Sequence, residues 1–139
     1  MHLFKGLVTI DCDSPYDTEV TTPGTLIQSP NYPSSYEPEK DCRTTITFSK
    51  RILLRFLYFD VEEDSNCDYD YLIIYDGPDD SSSQIGTKLC GNTNPTEIES
   101  SGTTIHILFH TDSSEQRDGF QIQVLEFGKI IIKCYTLYP

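Results

Sequence analysis

Helical periodicity is almost absent from this chain. In its place, short runs rich in β-branched and aromatic residues recur about every eight to twelve positions, divided by clusters of Gly, Pro, Asn, Asp and Ser. That rhythm confines the fold to an all-β sandwich or barrel. The run 24–28 predicts a first strand, closed by the turn-rich SPNYPSSYEP. Residues 42–48 alternate, with Ile46 and Phe48 on one face. Residues 52–59 are more continuously apolar, as expected of a central strand. Further strands are predicted at 69–76, 84–90, 97–100, 103–110 and 119–126, with GPDDSSSQ as a turn after 76. The segment 128–139 breaks the rhythm; its Ile130-Ile131-Ile132 run reads either as one more strand or as a linker.

A chain of 139 residues is one domain of ordinary size. Its net charge of −12 argues against nucleic acid, whose backbone selects basic surfaces. The same charge favours cationic partners, either calcium or proteins that expose Lys and Arg. No apolar run approaches the ~20 residues of a membrane-spanning helix, so membrane insertion is not expected. The opening MHLFKGLVTI is short and interrupted by Lys5, a poor signal peptide, so a secreted protein with this start is expected to be part of a longer one.

Four of the five cysteines, Cys12, Cys42, Cys67 and Cys90, stand at wide spacings and form no CxxC, which weakens zinc-ribbon and thioredoxin readings. The usage points outside the cytosol. Sequential pairing is the simplest of three connectivities, each bridge closing a loop of about 25 to 30 residues and stabilising by ~3 kcal/mol. Cys134 is left over, either free or paired with another chain or domain.

The chemistry concentrates in FDVEEDSNCDYDYLIIYDG, 59–77, which carries seven carboxylates. Asp60, Glu62, Glu63 and Asp64 run off one apolar strand; Asp68 and Asp70 lead into the next; Cys67 lies between. Carboxylates on two pinned strand ends suit a hard cation such as calcium, which takes six to eight oxygens in a flexible geometry. The alternative is a solvated acidic loop that keeps a β-protein soluble. Glycoside hydrolysis by paired carboxylates has no obvious cleft to occupy. His106 and His110 share a strand face ~13 Å apart, too far for a joint metal site. No serine lies in a nucleophile-elbow context, so no enzyme activity is expected.

Ordered motifs then identify a family. Gly24, Ser29-Pro30-Asn31-Tyr32-Pro33, Tyr36, Cys42, Phe59-Asp60-Val61-Glu62, Cys67-Asp68-Tyr69-Asp70, Tyr75-Asp76-Gly77, Leu89-Cys90-Gly91, Phe109-His110-Thr111-Asp112 and Gly119-Phe120 follow one another at family spacing. The chain resembles a CUB domain, the extracellular antiparallel β-sandwich (jelly roll) module of complement proteases, tolloid-type proteinases, cubilin and spermadhesins. It departs from the pattern at Thr44, where a Trp is usual, and at Asp13-Ser14, where glycines are usual. The resemblance covers 12–127, leaving 1–11 as an N-terminal extension and 128–139 as a tail or linker start. It implies the bridges Cys12–Cys42 and Cys67–Cys90. It also implies a calcium site with Glu62, Asp70 and Asp112 as ligands, Tyr36 hydrogen-bonding a ligand carboxylate, and Ser113 and Ser114 in the neighbouring loop. The implied function is binding a Lys or Arg side chain of an extracellular protein through calcium-ordered carboxylates. The alternatives are a non-catalytic recognition segment of a larger extracellular protease, and spermadhesin-like glycan binding.

Overall fold

A computed structural model of the chain describes residues 6–127. Cys134, the Ile130–132 run and the rest of 128–139, with 1–5, lie outside the described residues. The described chain forms β1 (Leu7–Thr9), β2 (Thr18–Val20), β3 (Leu26–Gln28), β4 (Asp41–Thr47), β5 (Ile52–Asp60), β6 (Tyr71–Tyr75), β7 (Ile98–Glu99), β8 (Thr104–His110) and β9 (Gly119–Glu126). They make a sandwich of two sheets, ordered β1-β3-β9-β5-β7 and β2-β4-β8-β6. The central pairings are antiparallel, but each sheet carries one parallel pair at an edge, β1 with β3 and β2 with β4. The expected antiparallel sandwich is thus a sandwich of two mixed sheets.

Alternation builds the core. Phe120, Ile122 and Val124 of β9 and Ile105, Ile107 and Phe109 of β8 point between the sheets and are almost fully buried. Their neighbours on the opposite strand faces turn outward. Strand β5 begins in the same way with Ile52, Leu54 and Phe56 inward. A bulge between Phe56 and Tyr58 then inserts one residue against β9. The inward phase moves from even to odd positions, so Phe59 and Val61 enter the core while Leu57 and Tyr58 are exposed. The acidic end of β5 therefore leaves the sheet in a phase that the bulge sets.

Residues 84–90 do not form the expected continuous strand. They touch β6 through isolated bridges at Gln84 and Leu89, with Gly86 at a positive φ of 68° between them. The bridges Cys12–Cys42 and Cys67–Cys90 are both formed. Gly119 has φ 91°, and a Cβ there would collide with Ser29 Oγ, which accepts the Phe120 N–H at 3.0 Å. Glycine at this position lets β9 start against the 29–36 turn and so fixes where Tyr36 sits.

Candidate functional site

Three strand ends converge at one end of the sandwich. Glu62 follows β5, Asp70 precedes β6 and Asp112 follows β8. One carboxylate oxygen from each lies within 4.8 Å of the others. The antiparallel pairing of β6 with β8, Tyr71 opposite His110, brings the start of one beside the end of the other. The Cys67–Cys90 bridge and the paired backbone bonds of Val61 with Gly91 (2.9 and 2.8 Å) hold the end of β5 against the same neighbourhood.

Asp70 is the organising residue, 1% exposed. Its Oδ2 accepts the Tyr36 hydroxyl at 2.7 Å and its Oδ1 accepts the Asp112 N–H at 2.7 Å. Burial pushes its carboxyl up, and the bonds from Asp112 and Tyr36 hold it down in part. Tyr36 is itself buried, packed edge-on against Phe109 with ring centroids 5.0 Å apart. Burial first, and the bond to Asp70 second, keep the phenol protonated well above its ordinary range, so it stays a donor. Its oxygen also accepts the Glu62 N–H at 3.2 Å. One tyrosine thereby links two of the three acidic residues from the core side.

Glu62 is the strained member. It is 8% exposed, and its Oε1 is buried without a hydrogen-bond partner among the described residues. Burial, followed by repulsion from Asp70, Asp112 and Glu115, raises its carboxyl from 4.5 to about 7, with Arg117 opposing. A buried, unpaired carboxylate oxygen beside two further carboxylates is an electrostatic deficit that a divalent cation of hard character fits. Ser113 and Ser114 lie exposed on the Asp112 loop, where Ser114 donates its N–H to Asp112 Oδ1 at 3.2 Å.

The remaining acids of the 59–77 segment do other work. Asp64 accepts backbone N–H groups of Asn66 (3.0 Å) and Asp68 (3.1 Å), which hold its carboxyl below the usual range. Asp76 binds Ser101 through its N–H (3.0 Å) and hydroxyl (2.7 Å). Glu63 and Asp68 are exposed. His106 is buried with Nδ1 3.1 Å from Thr45 Oγ1, while His110 stacks on Tyr71 and faces Asp41 at 2.7 Å. Sequence reasoning missed Thr111, which accepts the Lys40 N–H (2.8 Å) and donates to the Glu37 carbonyl (2.9 Å), latching the Tyr36 turn to the Asp112 loop. It also missed Arg117, whose carbonyl accepts the Tyr36 N–H at 3.1 Å. Neither contact has a local sequence signal.

Comparison with known proteins agrees with this architecture. The chain is 37% identical to human Tolloid-like protein 1 over 114 residues, covering 80% of this chain and 11% of that protein. It is 39% identical to human Neuropilin-2 over 108 residues, covering 72% and 12%. The chain thus spans about a tenth of the length of these curated relatives. Among solved structures, the MASP-1 CUB2 domain bound to Ca2+ superposes with a TM-score of 0.68 at 30% identity, covering 78% of this chain and 96% of that one. The family model of the CUB domain matches residues 12–124, and with nine strands in two sheets and two disulfides among the described residues behind that match, the chain belongs to the CUB domain family.

Proposed function

We propose that this CUB domain, an extracellular protein-interaction module, binds calcium through Glu62, Asp70 and Asp112 and presents the ordered acidic end to a Lys or Arg side chain of a protein partner. The observation that carries the reading is the convergence of three carboxylates around a buried Glu62 oxygen that nothing among the described residues satisfies. Calcium supplies charge neutralisation and ties three loops together. The chain's residues do the rest. Tyr36 orients Asp70, Asp70 positions the Asp112 backbone, and the Cys67–Cys90 bridge limits how far the Glu62 and Asp70 segments can separate. Affinity near 10⁻⁴ to 10⁻³ M is usual for extracellular calcium modules, which suits a structural ion rather than a signalling one. The Ca2+ bound to the CUB2 domain of MASP-1 supports the same choice of metal. Two disulfides fit an oxidising, extracellular setting.

A basic side chain then meets carboxylates held in place, with charge-assisted hydrogen bonds and a net charge of −12 favouring the approach. The domain does no catalysis in this reading. Its span of about a tenth of Tolloid-like protein 1 favours a recognition role inside a larger extracellular protein, a protease among the candidates. NMR titration of the labelled domain with a lysine-rich peptide, and with the same peptide acetylated on every lysine, tests the mechanism. The expected result is shifts at the Asp112 loop for the cationic peptide only, in calcium only, weakened by salt. Equal binding of the acetylated peptide, or binding untouched by chelator, contradicts it.

A further inference from the structure

Between β1 and β2 the chain projects a short loop that the metal site does not use. Its base is closed by the buried Ile10 and Val20, by the Asp11 N–H on Thr18 Oγ1 (3.2 Å), and by the Cys12–Cys42 bridge. Asx-type and serine turns shape it, Asp13 N–H to Asp11 Oδ1 at 3.0 Å and Tyr16 N–H to Ser14 Oγ at 3.1 Å. Among the described residues, 12–17 exchange no backbone–backbone hydrogen bond with the rest of the domain. At the tip stands Tyr16, 80% exposed, with no ring contact and no hydrogen bond to its hydroxyl among the described residues. Asp11, Asp13, Asp17 and Glu19 flank it on both sides; Asp11 and Glu19 are exposed, Asp13 is exposed but paired with Lys40 Nζ at 2.6 Å, and Asp17 is half-buried and accepts the Thr45 hydroxyl at 2.9 Å.

We propose that Tyr16 is a site of tyrosine O-sulfation in the secretory route. In the transfer, the phenolic oxygen forms a bond to the sulfur of a nucleoside phosphosulfate. The sulfur–oxygen bond to the phosphate breaks, and the nucleotide leaves with that electron pair. The phenolic proton passes to a base of the transferase, and no atom changes oxidation state. Such a transferase must bind an anionic donor and therefore works from a basic cleft, which selects a reachable tyrosine with carboxylates on either side. Exposed loop tips are where modifying enzymes reach a folded chain.

The other tyrosines of the described chain are poorer substrates. Tyr36 is buried, and Tyr58 is bonded to Asp118 at 3.2 Å and packed on Tyr32. Tyr69, between Asp68 and Asp70, has a comparable acidic sequence context but is 47% exposed. There the Asp70 carboxylate is buried and bonded inward, and the Asp68 N–H is fixed on Asp64. Asp70 is thereby withdrawn from a transferase, whereas Asp17 beside Tyr16 keeps 34% of its side chain exposed. Tyr69 is thus an internal control. The inference stands apart from the calcium reading, since it needs only passage through the secretory route.

The test is to secrete the full 139-residue chain from cultured animal cells that also secrete a peptide known to be sulfated in the same cells. Intact mass and fragmentation are read with and without chlorate, which blocks synthesis of the sulfate donor. The expected result is a species heavier by about 80 Da, the mass of SO₃, on the peptide containing Tyr16. It should resist phosphatase, disappear in chlorate and be absent in Tyr16→Phe, whose secretion and melting match the wild type. An unmodified Tyr16 beside a sulfated control peptide overturns the proposal. So does an adduct on Tyr69 alone, or one removed by phosphatase.

Discussion

Replacing Glu62 with Gln should stabilise the metal-free domain and destabilise the calcium-loaded one. The native carboxyl titrates at about 7 against an ordinary 4.5. Between those values the folded state holds a proton that the unfolded state has lost. Wild-type stability therefore falls as pH rises through the window, and the penalty is complete above about 7. At roughly 1.4 kcal/mol per tenfold, that displacement corresponds to about 3 kcal/mol. Discounted for solvent at the mouth of the site, roughly 1–2 kcal/mol is expected. Gln carries no charge to repel Asp70 and Asp112, so in chelator at pH 7.5 the variant should melt roughly 4–8 °C above wild type. The gap should shrink toward pH 5, where native Glu62 is already protonated. In 10 mM calcium the order reverses. A site of about 10⁻⁴ M affinity adds roughly 2.7 kcal/mol to the wild type, and the variant, short of one charged ligand, keeps little of it. Thermal melts of both proteins at the two pH values, with chelator and with calcium, are the assay. A variant that melts below wild type in chelator at pH 7.5, or a gap that ignores pH, refutes the electrostatic reasoning.

Three other perturbations have expected outcomes. Tyr36→Phe removes the donor to Asp70 and the acceptor of the Glu62 N–H; about 1–3 kcal/mol of stability should be lost in urea titrations, with calcium affinity down ~10–100-fold. Replacing Cys67 and Cys90 together with serine should cost ~3 kcal/mol and weaken calcium binding, because the bridge tethers the segment that joins Glu62 to Asp70; a variant with unchanged affinity would show that the bridge does not preorganise the site. His106 is held below its ordinary 6.5 chiefly by burial, so the unfolded state binds the extra proton first and stability falls as pH drops below about 6.5. His106→Gln should flatten that acid-side decline in melts between pH 7 and 5.

Much of the sandwich was legible because its long strands alternate cleanly. Phe120, Ile122 and Val124, or Ile105, Ile107 and Phe109, mark a buried face without help from the rest of the chain. Strands β1 and β2 escaped notice because each is three residues long and pairs in parallel at a sheet edge, where pattern is too short to register. The segment 84–90 looked like a strand from composition, but a positive φ at Gly86 leaves only separate bridges. At the site, Glu62 and Asp70 stood out as acids around Cys67. Nothing local distinguished them from Asp64 and Asp76, whose carboxylates serve turns instead. Tyr36 and Asp112 reach Asp70 from 34 residues before it and 42 residues after it, so only the family pattern pointed to them. The contributions of Thr111, Glu115 and Arg117 depend on loop packing and have no sequence signature.

If three carboxylates on separate strand ends form one calcium site, calorimetric titration of calcium into the chelator-stripped domain, beside Asp70→Ala, separates the two proteins. The expected result is saturable one-to-one binding near 10⁻⁴ to 10⁻³ M for the wild type and none for the variant, with both proteins folded by circular dichroism. Absence of binding by the wild type, or equal binding by Asp70→Ala, contradicts it and returns the acidic end to a solvated surface.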